Sequence, residues 1–223
     1  MLKKNSKILL YGGKSTALIV SEMLKDNGTN PKYIFDQYIK KLPFKSNAKF
    51  SNNKKDLEKF IEKSDLFFVC IGMLDGKLRH KISQILRKKG LKQFSLISKD
   101  SLIDKTSTFG EGTLVMPNVV VHKFSKIGDD CYLNVSSVID HECTIGNGVH
   151  LMGSCYLAGR VHVEDYASIG ANATILPDIK IGKNAIIGAG SVVTKNVKPN
   201  EVVIGNPAKL YRLNNKKYDF NIL

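Results

Sequence analysis

Residues 139–157 read IDHECTIGNGVHLMGSCYL. Every sixth residue of this stretch is apolar: Ile139, Ile145, Leu151 and Leu157. The same spacing continues in both directions from Ile103 to Val193 without a break. The two positions are 90 apart, which makes fifteen steps of six and therefore sixteen apolar leaders. A hexapeptide repeat of this length predicts a parallel β-helix, in which each hexad forms one short strand and a turn.

Two further positions of the hexad are nearly constant in type. The residue after the leader is often glycine, as at Gly128 and Gly146, and the fifth residue is mostly small, as at Ser137 and Cys143. We expect the leader to point into a narrow prism, the small residue to let the wall turn inward, and the glycine tract to form the corner. Three hexads should close one triangular coil, so residues 18 apart should stack. About five coils should follow one another at roughly 4.8 Å.

The composition is that of an ordinary soluble protein. The chain has 223 residues, of which 43% are hydrophobic and 24% are charged. No apolar run approaches the length of a membrane span. The residues before the first strand do not resemble a signal peptide, so a cytoplasmic location is predicted.

The formal net charge of +14 comes from lysines scattered along the chain. A lysine-rich solvated surface explains most of it, and a positive field also favours small anionic substrates such as a nucleotide sugar or coenzyme A. No motif that reads nucleic acid accompanies the charge. The four cysteines fall at apolar or small positions, which predicts reduced, buried thiols: Cys70, Cys131, Cys143 and Cys155.

Residues 7–98 alternate between strand and helix patterns. Strands are predicted at 7–11, 33–36, 66–72 and 94–97, and helices at 15–25, 56–63 and 78–89. This alternation predicts a small doubly wound parallel sheet. We therefore divide the chain into an N-terminal domain (1–98), a β-helix (99–205) and a C-terminal tail (206–223), with residues 214–223 loosely held.

Ligands of doubly wound sheets bind at the carboxyl ends of the strands, which points to Gly12, Gly13, Asp36 and Gly72. Asp36 could accept a hydrogen bond from a ribose hydroxyl or a base N–H, or it could be a turn residue.

The turn after the first predicted strand could bind an anion at a helix N-terminus. It is not a P-loop, since Ile8 occupies the position of the required glycine, and it is not a full dinucleotide fingerprint, since Leu10 replaces the first glycine. A plain tight turn is the alternative.

His141 and Glu142 occupy the third and fourth hexad positions, where a corner should expose them. A histidine beside a carboxylate is a usable general base near neutral pH. The repeat stacks His141 between Lys123 and Gly159, and the glycine should leave space above the imidazole. The alternative is a surface pair with no catalytic role.

The hexads, the stretch VIDHEC at 138–143, and the endings GAGSVVTK at 188–195 and GNPAK at 205–209 resemble the NeuD/PglD-type sugar acetyltransferases. The resemblance covers nearly the whole chain. It implies a Rossmann-like α/β domain followed by a left-handed parallel β-helix. It also implies acetyl transfer from acetyl-CoA without a metal, in a homotrimer with each site between adjacent β-helices.

The same resemblance implies roles for individual residues. His141 would be the base and Glu142 would orient it, while Asn134 would contact the sugar. The N-terminal domain would hold the nucleotide through Gly12, Gly13 and Asp36. The coenzyme A residues would run from the thioester to the far end of the cofactor: His150, Gly159, Gly170, Gly188, Lys209 and Arg212.

The sequence thus predicts an acetyl-CoA-dependent N-acetyltransferase of a nucleotide-linked 4-amino sugar, with UDP as the expected nucleotide. A sugar or sialic acid O-acetyltransferase is the main alternative, because both nucleophiles need the same base. A non-catalytic β-helix assembly protein and a zinc enzyme that hydrates carbon dioxide remain as further alternatives. The histidines available for zinc lack the expected close pair: His122, His141, His150 and His162.

Overall fold

The computed structural model describes residues 6–218. The N-terminal part is a five-stranded parallel sheet of strand order β3-β2-β1-β4-β5. Its elements are β1 (Ile8–Tyr11), α1 (Ser15–Asp26), β2 (Tyr33–Phe35), β3 (Lys49–Ser51), α2 (Lys54–Glu62), β4 (Leu66–Val69), α3 (Gly76–Lys88) and β5 (Lys92–Gln93). The predicted alternation of strands and helices is confirmed. The sequence did not predict β3, because its three residues include a single apolar side chain.

The central strands β1 and β4 are buried on both faces, which explains their continuous apolar sequences. Helix α1 packs on one face of the sheet with the side chains of Ile8 and Leu10. Helices α2 and α3 pack on the other face with Leu9 and Tyr11. The face that carries α1 also contacts the second part of the chain, through Leu114 and Tyr132.

The second part is the predicted parallel β-helix. Strands 18 residues apart pair in parallel, as Val121 with Ile139 and Ile139 with Leu157 do, so three hexads form each coil. The leaders fill the prism and are almost entirely buried between Val115 and Val193. The side chains that point outward from the strands differ among the three faces of the prism.

We name the three faces by their surroundings. The docked face contacts the N-terminal sheet and consists of β6 (Leu96–Ile97), β9 (Leu114–Val115), β12 (Tyr132–Leu133), β15 (His150–Leu151), β18 (Ser168–Ile169), β21 (Ile186–Ile187), β23 (Glu201–Gly205) and β24 (Ala208–Leu213). The apolar face consists of β7 (Leu102–Ile103), β10 (Val120–Val121), β13 (Val138–Ile139), β16 (Tyr156–Leu157), β19 (Thr174–Ile175) and β22 (Val192–Val193). The polar face consists of β8 (Thr108–Phe109), β11 (Lys126–Ile127), β14 (Thr144–Ile145), β17 (His162–Val163) and β20 (Lys180–Ile181).

The corners differ in detail from the sequence prediction. The left-handed backbone conformation falls on the fourth residue of the hexad, which is usually not glycine; Glu142 has φ 60° and Arg160 has φ 60°. The glycine after the leader serves close packing instead. A Cβ at Gly128 would lie 2.8 Å from the carbonyl carbon of Gly146 in the next coil. That position therefore needs a glycine because of the stacked backbone.

The junction between the two parts lies earlier than predicted. The single strand expected at 94–97 is replaced by β5, which joins the N-terminal sheet, and by β6, which pairs with β9 of the β-helix. The first leader is therefore Ile97, one hexad before Ile103. A periodic pattern does not show where the chain leaves one sheet for the other, because each of these strands has only two residues.

The described part of the predicted tail is ordered by contacts. Residues 208–213 form β24, which pairs antiparallel with β23. Beyond it, the Lys216 ammonium forms an ion pair with Asp75, and the Tyr218 hydroxyl donates a hydrogen bond to the carbonyl of Leu74 at 2.9 Å. Residues 214, 216 and 218 thus contact the rest of the chain, the loosely held tail remains a prediction, and residues 219–223 lie outside the described part of the chain.

All four cysteines are buried and none forms a disulfide. Burial raises the pKa of the Cys131 and Cys155 thiols to about 12, so they remain protonated near neutral pH. Within residues 6–218, the helices are too short or too polar to cross a bilayer.

Candidate functional site

A cavity of about 430 Å³ opens at the carboxyl ends of β1, β2 and β4. Three of the residues predicted from the sheet topology line it: Gly12, Asp36 and Gly72. Its other walls come from the start of α1, from the turn after Asp36 and from the loop between β4 and α3. The structure thus brings together residues that are up to 60 positions apart in the sequence (72 − 12 = 60).

Asp36 fixes the shape of this cavity. Its carboxylate accepts hydrogen bonds from the N–H groups of Gly13 and Tyr38, each at 2.9 Å. Gly12 has φ +105°, and a Cβ there would lie 2.8 Å from the carbonyl oxygen of Cys70, so only glycine fits. The carboxylate still has unshared lone pairs that could accept hydrogen bonds from a ligand.

The start of α1 faces the same cavity through Ser15 and Thr16. Within the described chain, no side chain caps this helix end, and its first turn has no acidic residue. Free amide groups and the helix dipole favour an anion at such a position. The cavity therefore suits a phosphate group next to a polar nucleoside.

His141 lies at the corner between the apolar and polar faces, with its side chain 38% exposed. Its Nδ1 atom is 2.9 Å from a carboxylate oxygen of Glu142. A Cβ on Gly159 would lie 2.5 Å from the Nε2 atom, so glycine is required beside the ring. With Nδ1–H donating to Glu142, Nε2 presents a lone pair toward this space, as a general base requires.

Asp140 holds the backbone at this corner. One carboxylate oxygen accepts from the N–H of His141 at 2.7 Å, and the other accepts from the Tyr156 hydroxyl at 3.0 Å. Partial burial opposes ionisation, but these hydrogen bonds and the two nearby histidines hold the pKa of Asp140 below its usual value. His122 is one of these histidines, with Nδ1 3.4 Å from the Asp140 carboxylate. The sequence analysis did not single out this cluster, although a spacing of 18 from His122 to Asp140 is a signal that could have found it.

His150 lies on the docked face and is almost completely buried. Its Nδ1 atom is 2.8 Å from the Met73 carbonyl, and the Asn134 amide nitrogen is 3.1 Å from Nε2. Burial, together with the positive charge of Arg79, lowers the pKa of His150 to about 4. The neutral ring donates from Nδ1 and accepts at Nε2, so both nitrogens have partners within the chain.

This buried histidine predicts a dependence of stability on pH. The pKa of about 4 in the folded chain is below the ordinary value of about 6.5 expected after unfolding. Between these values the unfolded chain binds more protons, so the free energy of unfolding falls as the pH is lowered. We expect His150 to account for a loss of about 2 kcal/mol between pH 7 and pH 5.

Urea unfolding at the two pH values checks this expectation in three proteins. His150→Gln should remove most of this pH dependence, whereas His162→Gln, on the exposed polar face, should retain it. Equal pH dependence in the wild type and His150→Gln would contradict the assignment.

A buried polar network joins α3 to the β-helix. Arg79 is fully buried, and its guanidinium donates to the carbonyls of Ile71, Asp130 and Gly148 at 2.7 to 3.1 Å. The same group stacks over the Tyr132 ring, 3.9 Å from its centroid. This network fixes the loop that carries Gly72 and Met73 against the docked face.

The Asp130 carboxylate supplies the second half of this network. It accepts hydrogen bonds from Ser83 and Gln93 and lies 2.7 Å from Nδ1 of His80. No local sequence pattern predicts these contacts, because they join residues about 40 to 50 positions apart along the chain.

The predicted site residues separate into two groups within one chain. His141, Glu142 and Gly159 lie at the corner between the apolar and polar faces. Asn134, Gly170 and Gly188 follow strands of the docked face and lie at the corner that it shares with the apolar face. Lys209 and Arg212 are exposed on β24. A single chain therefore does not bring His141 to the cavity, since its corner is opposite the docked face.

The histidines considered for zinc are also distributed over the prism. His122 and His141 are neighbours, with ring centroids 6.4 Å apart. His150 belongs to the docked face and His162 to the polar face. One chain does not assemble three of these histidines into one ligand set.

Comparison with known proteins gives the same architecture. The family model described as bacterial transferase hexapeptide (six repeats) matches residues 142–177 and 160–195. The perosamine N-acetyltransferase of Caulobacter crescentus, solved as a single-residue mutant in complex with CoA and GDP-perosamine, is 29% identical, with a TM-score of 0.85 over 93% of this chain and 98% of that chain. WeeI from Acinetobacter baumannii AYE is 28% identical, with a TM-score of 0.81 over 92% of this chain and 99% of that one.

Curated relatives match over a shorter range. An acyl-[acyl-carrier-protein]–UDP-N-acetylglucosamine O-acyltransferase of Verminephrobacter eiseniae is 34% identical over 149 residues, which are 66% of this chain and 51% of that protein. The chain spans about half the length of the curated relatives that it matches. Together, these similarities confirm the predicted resemblance to sugar acetyltransferases built on hexapeptide repeats.

Proposed function

We propose that this hexapeptide-repeat protein, similar over most of its length to sugar N-acetyltransferases, transfers an acetyl group from acetyl-CoA to the amine of a nucleotide-linked 4-amino sugar. The reaction takes place where His141 of one chain meets the nucleotide cavity of a neighbouring chain. The observation that carries the proposal is the His141–Glu142 pair, which leaves Nε2 free beside Gly159.

The chemistry requires only a base and an oriented thioester. The sugar amine attacks the thioester carbonyl, a C–N bond forms, and Nε2 of His141 takes the proton that the nitrogen loses. The C–S bond then breaks, and the thiolate of coenzyme A leaves and is protonated. Glu142 keeps the imidazole in the tautomer that can accept, while the backbone of Gly159 lies against the thioester carbonyl. Main-chain donors at such a position stabilise the negative charge on the oxygen.

The cavity of the N-terminal sheet supports the nucleotide part of the proposal. The free N-terminus of α1 suits the diphosphate, and Asp36 suits a donor on the nucleoside. Gly12 and Gly72 line the cavity, whereas Gly13 lies outside the lining and contributes by donating its N–H to Asp36. Under this proposal the N-terminal sheet and its helices form a Rossmann-like domain. We propose UDP as the nucleotide; the perosamine N-acetyltransferase, which binds a GDP-linked sugar, makes GDP the alternative.

The coenzyme would run along the β-helix beside small residues. Gly170 and Gly188 lie one coil apart in the same column as Asn134, and a Cβ on either would lie 2.5 Å from an atom of the next coil, so glycine there keeps the stacked coils close. Lys209 and Arg212 are cations at the end of this column and suit the phosphates of coenzyme A. His150, whose nitrogens are engaged by Met73 and Asn134, would position Asn134 for the sugar and the thioester.

The apolar face supports a trimer. Its outer column consists of Leu102, Val120, Val138, Tyr156, Thr174 and Val192, and Leu102 remains 70% exposed in the single chain. A left-handed prism packed by this face around a threefold axis places the His141 corner of one chain beside the Asn134 corner of the next. The two groups of site residues that are separate in one chain then become one site.

Light scattering tests the assembly. We expect a mass near three times the 24.7 kDa of one chain. Val138→Glu on the apolar face should give monomers, because a charge would be buried in the interface. Thr144→Glu occupies the equivalent strand position on the polar face and should remain trimeric. A wild-type monomer at assay concentration would refute both the trimer and the shared site.

A panel of acceptors tests the reaction itself. Acetyl-CoA is supplied with UDP-, GDP- and dTDP-linked 4-amino sugars, with UDP-N-acetylglucosamine and with free sialic acid, and the products are identified by NMR. We expect N-acetylation of a nucleotide-linked amino sugar, with UDP preferred. Transfer to a hydroxyl alone would favour the alternative that the protein is an O-acetyltransferase. The curated relatives are likewise named O-acyltransferases. No transfer to any acceptor, with no binding of coenzyme A, would refute the proposal.

A further inference from the structure

Tyr11, the last residue of β1, is the one cavity residue with an unexplained buried polar atom. It lines the cavity and is 4% exposed. Its hydroxyl is buried and has no hydrogen-bond partner among residues 6–218. Two other side-chain atoms of the described chain share this property, Oε1 of Gln93 and Oγ of Ser137, and both lie away from the cavity.

The surroundings of Tyr11 hold the ring firmly. The ring packs against Phe35 at a centroid distance of 5.3 Å, within the cluster that also contains Val69 and Ile82. Burial raises the pKa of the hydroxyl well above its ordinary value, and the nearby Tyr38 and Asp36 raise it further. The hydroxyl therefore keeps its proton and is a hydrogen-bond donor on a residue that lines the same cavity as Asp36.

A phenylalanine would fill this position equally well in a protein that binds nothing here. Burying a hydroxyl without a partner destabilises the folded state, and such groups are uncommon in native proteins. The residue that carries this orphan atom lines a cavity that suits a ligand. A ligand that accepts from this hydroxyl would explain why the polar atom is present.

We propose that the Tyr11 hydroxyl forms a hydrogen bond with the nucleoside half of the nucleotide-linked substrate and, with Asp36, determines which nucleotide is accepted. This inference rests on the proposed function. The two residues line one cavity, and Tyr11 offers a donor there while Asp36 offers an acceptor. The complementary ligand group is an O–H or N–H beside an oxygen, which both a ribose diol and the imide edge of uracil or guanine provide.

Equilibrium binding of UDP and GDP to the wild type and Tyr11→Phe tests the role of the hydroxyl. We expect the variant to bind the preferred nucleotide roughly 5- to 50-fold more weakly, because one buried hydrogen bond is lost. Its melting temperature without ligand should equal or exceed that of the wild type, because an unpartnered buried hydroxyl is removed. This opposition between affinity and stability separates a ligand contact from a structural role.

Ser137→Ala is the matched control, since it also removes a buried unpartnered hydroxyl but lies in the β-helix. It should leave nucleotide affinity unchanged. A Tyr11→Phe protein that binds UDP and GDP as tightly as the wild type would overturn the inference and leave the proposed function standing. A wild type that binds no nucleotide at all would refute the proposed function itself.

Two nucleotide analogues distinguish a contact to the ribose from a contact to the base. With 2′-deoxy-UDP, a contact to the ribose predicts that the wild type and Tyr11→Phe bind with similar affinity. With CDP, a contact to the 4-oxygen of the imide edge predicts the same equality, because cytosine carries an amino group in place of the oxygen that would accept from the hydroxyl. If the variant weakens UDP, 2′-deoxy-UDP and CDP by the same factor, the hydroxyl does not contact the nucleoside and the inference is wrong.

Discussion

Replacing His141 by alanine is expected to lower kcat by about 10²- to 10⁴-fold, because water would be the remaining proton acceptor. Affinity for the nucleotide sugar should stay within a few-fold of the wild type, since the cavity is untouched. Steady-state kinetics with the acceptor that the wild type prefers checks both quantities.

Three further variants define the effect. His162→Ala removes an exposed histidine from the polar face and should leave kcat unchanged. Glu142→Gln should lower kcat less than His141→Ala does, because Glu142 orients the base without taking the proton. Gly159→Ala adds a Cβ that would lie 2.5 Å from Nε2 and should displace the ring. An unchanged kcat in His141→Ala would show that another group is the base.

Replacing Arg79 by methionine is expected to lower the free energy of unfolding by roughly 3–5 kcal/mol. The guanidinium donates to three carbonyl groups from a fully buried position, and methionine leaves those acceptors without a donor. Urea unfolding at a fixed protein concentration measures the change.

Arg160→Met is the matched control for charge and volume. Arg160 is half exposed and pairs with Asp178 through two contacts of 2.6 and 2.8 Å. An exposed pair of this kind contributes about 1 kcal/mol or less. Equal destabilisation by the two substitutions would mean that the buried network does not hold the N-terminal sheet to the β-helix.

The β-helix could be predicted because its determinants are local and repeated. An apolar leader every six residues and a small fifth residue predict the coil directly. The observed pairing of strands 18 residues apart agrees with that prediction. The left-handed fourth position could be read only in part, since asparagine, aspartate or glycine occupies many of these positions but Phe124, Glu142 and Arg160 do not favour that conformation. Stacking of the coils overrides their local preference.

The cavity could be predicted from sheet topology, because parallel strands end at one edge whatever their side chains. The contacts that join the two parts could not. Arg79 and Asp130 are 51 residues apart, and neither belongs to a periodic pattern. A sequence that does not reveal these contacts does not show which face of the prism contacts the N-terminal sheet. It therefore does not show that His141 lies opposite that face. The sequence therefore pointed to the cavity and the histidine separately. In the structure the cavity lies on the side of the docked face, and His141 lies at the opposite corner of the prism.

A site shared between chains is tested most directly by combining two inactive variants in one trimer. His141→Ala lacks the base, and Asp36→Ala lacks the carboxylate that shapes the cavity. The two chains carry different affinity tags, are produced together, and are purified as mixed trimers. Each mixed trimer contains one interface with both an intact His141 and an intact cavity. We predict acetyl transfer at about one third of the wild-type rate from mixed trimers and almost none from either parent. Mixed trimers that are as inactive as the two parents would contradict the shared site.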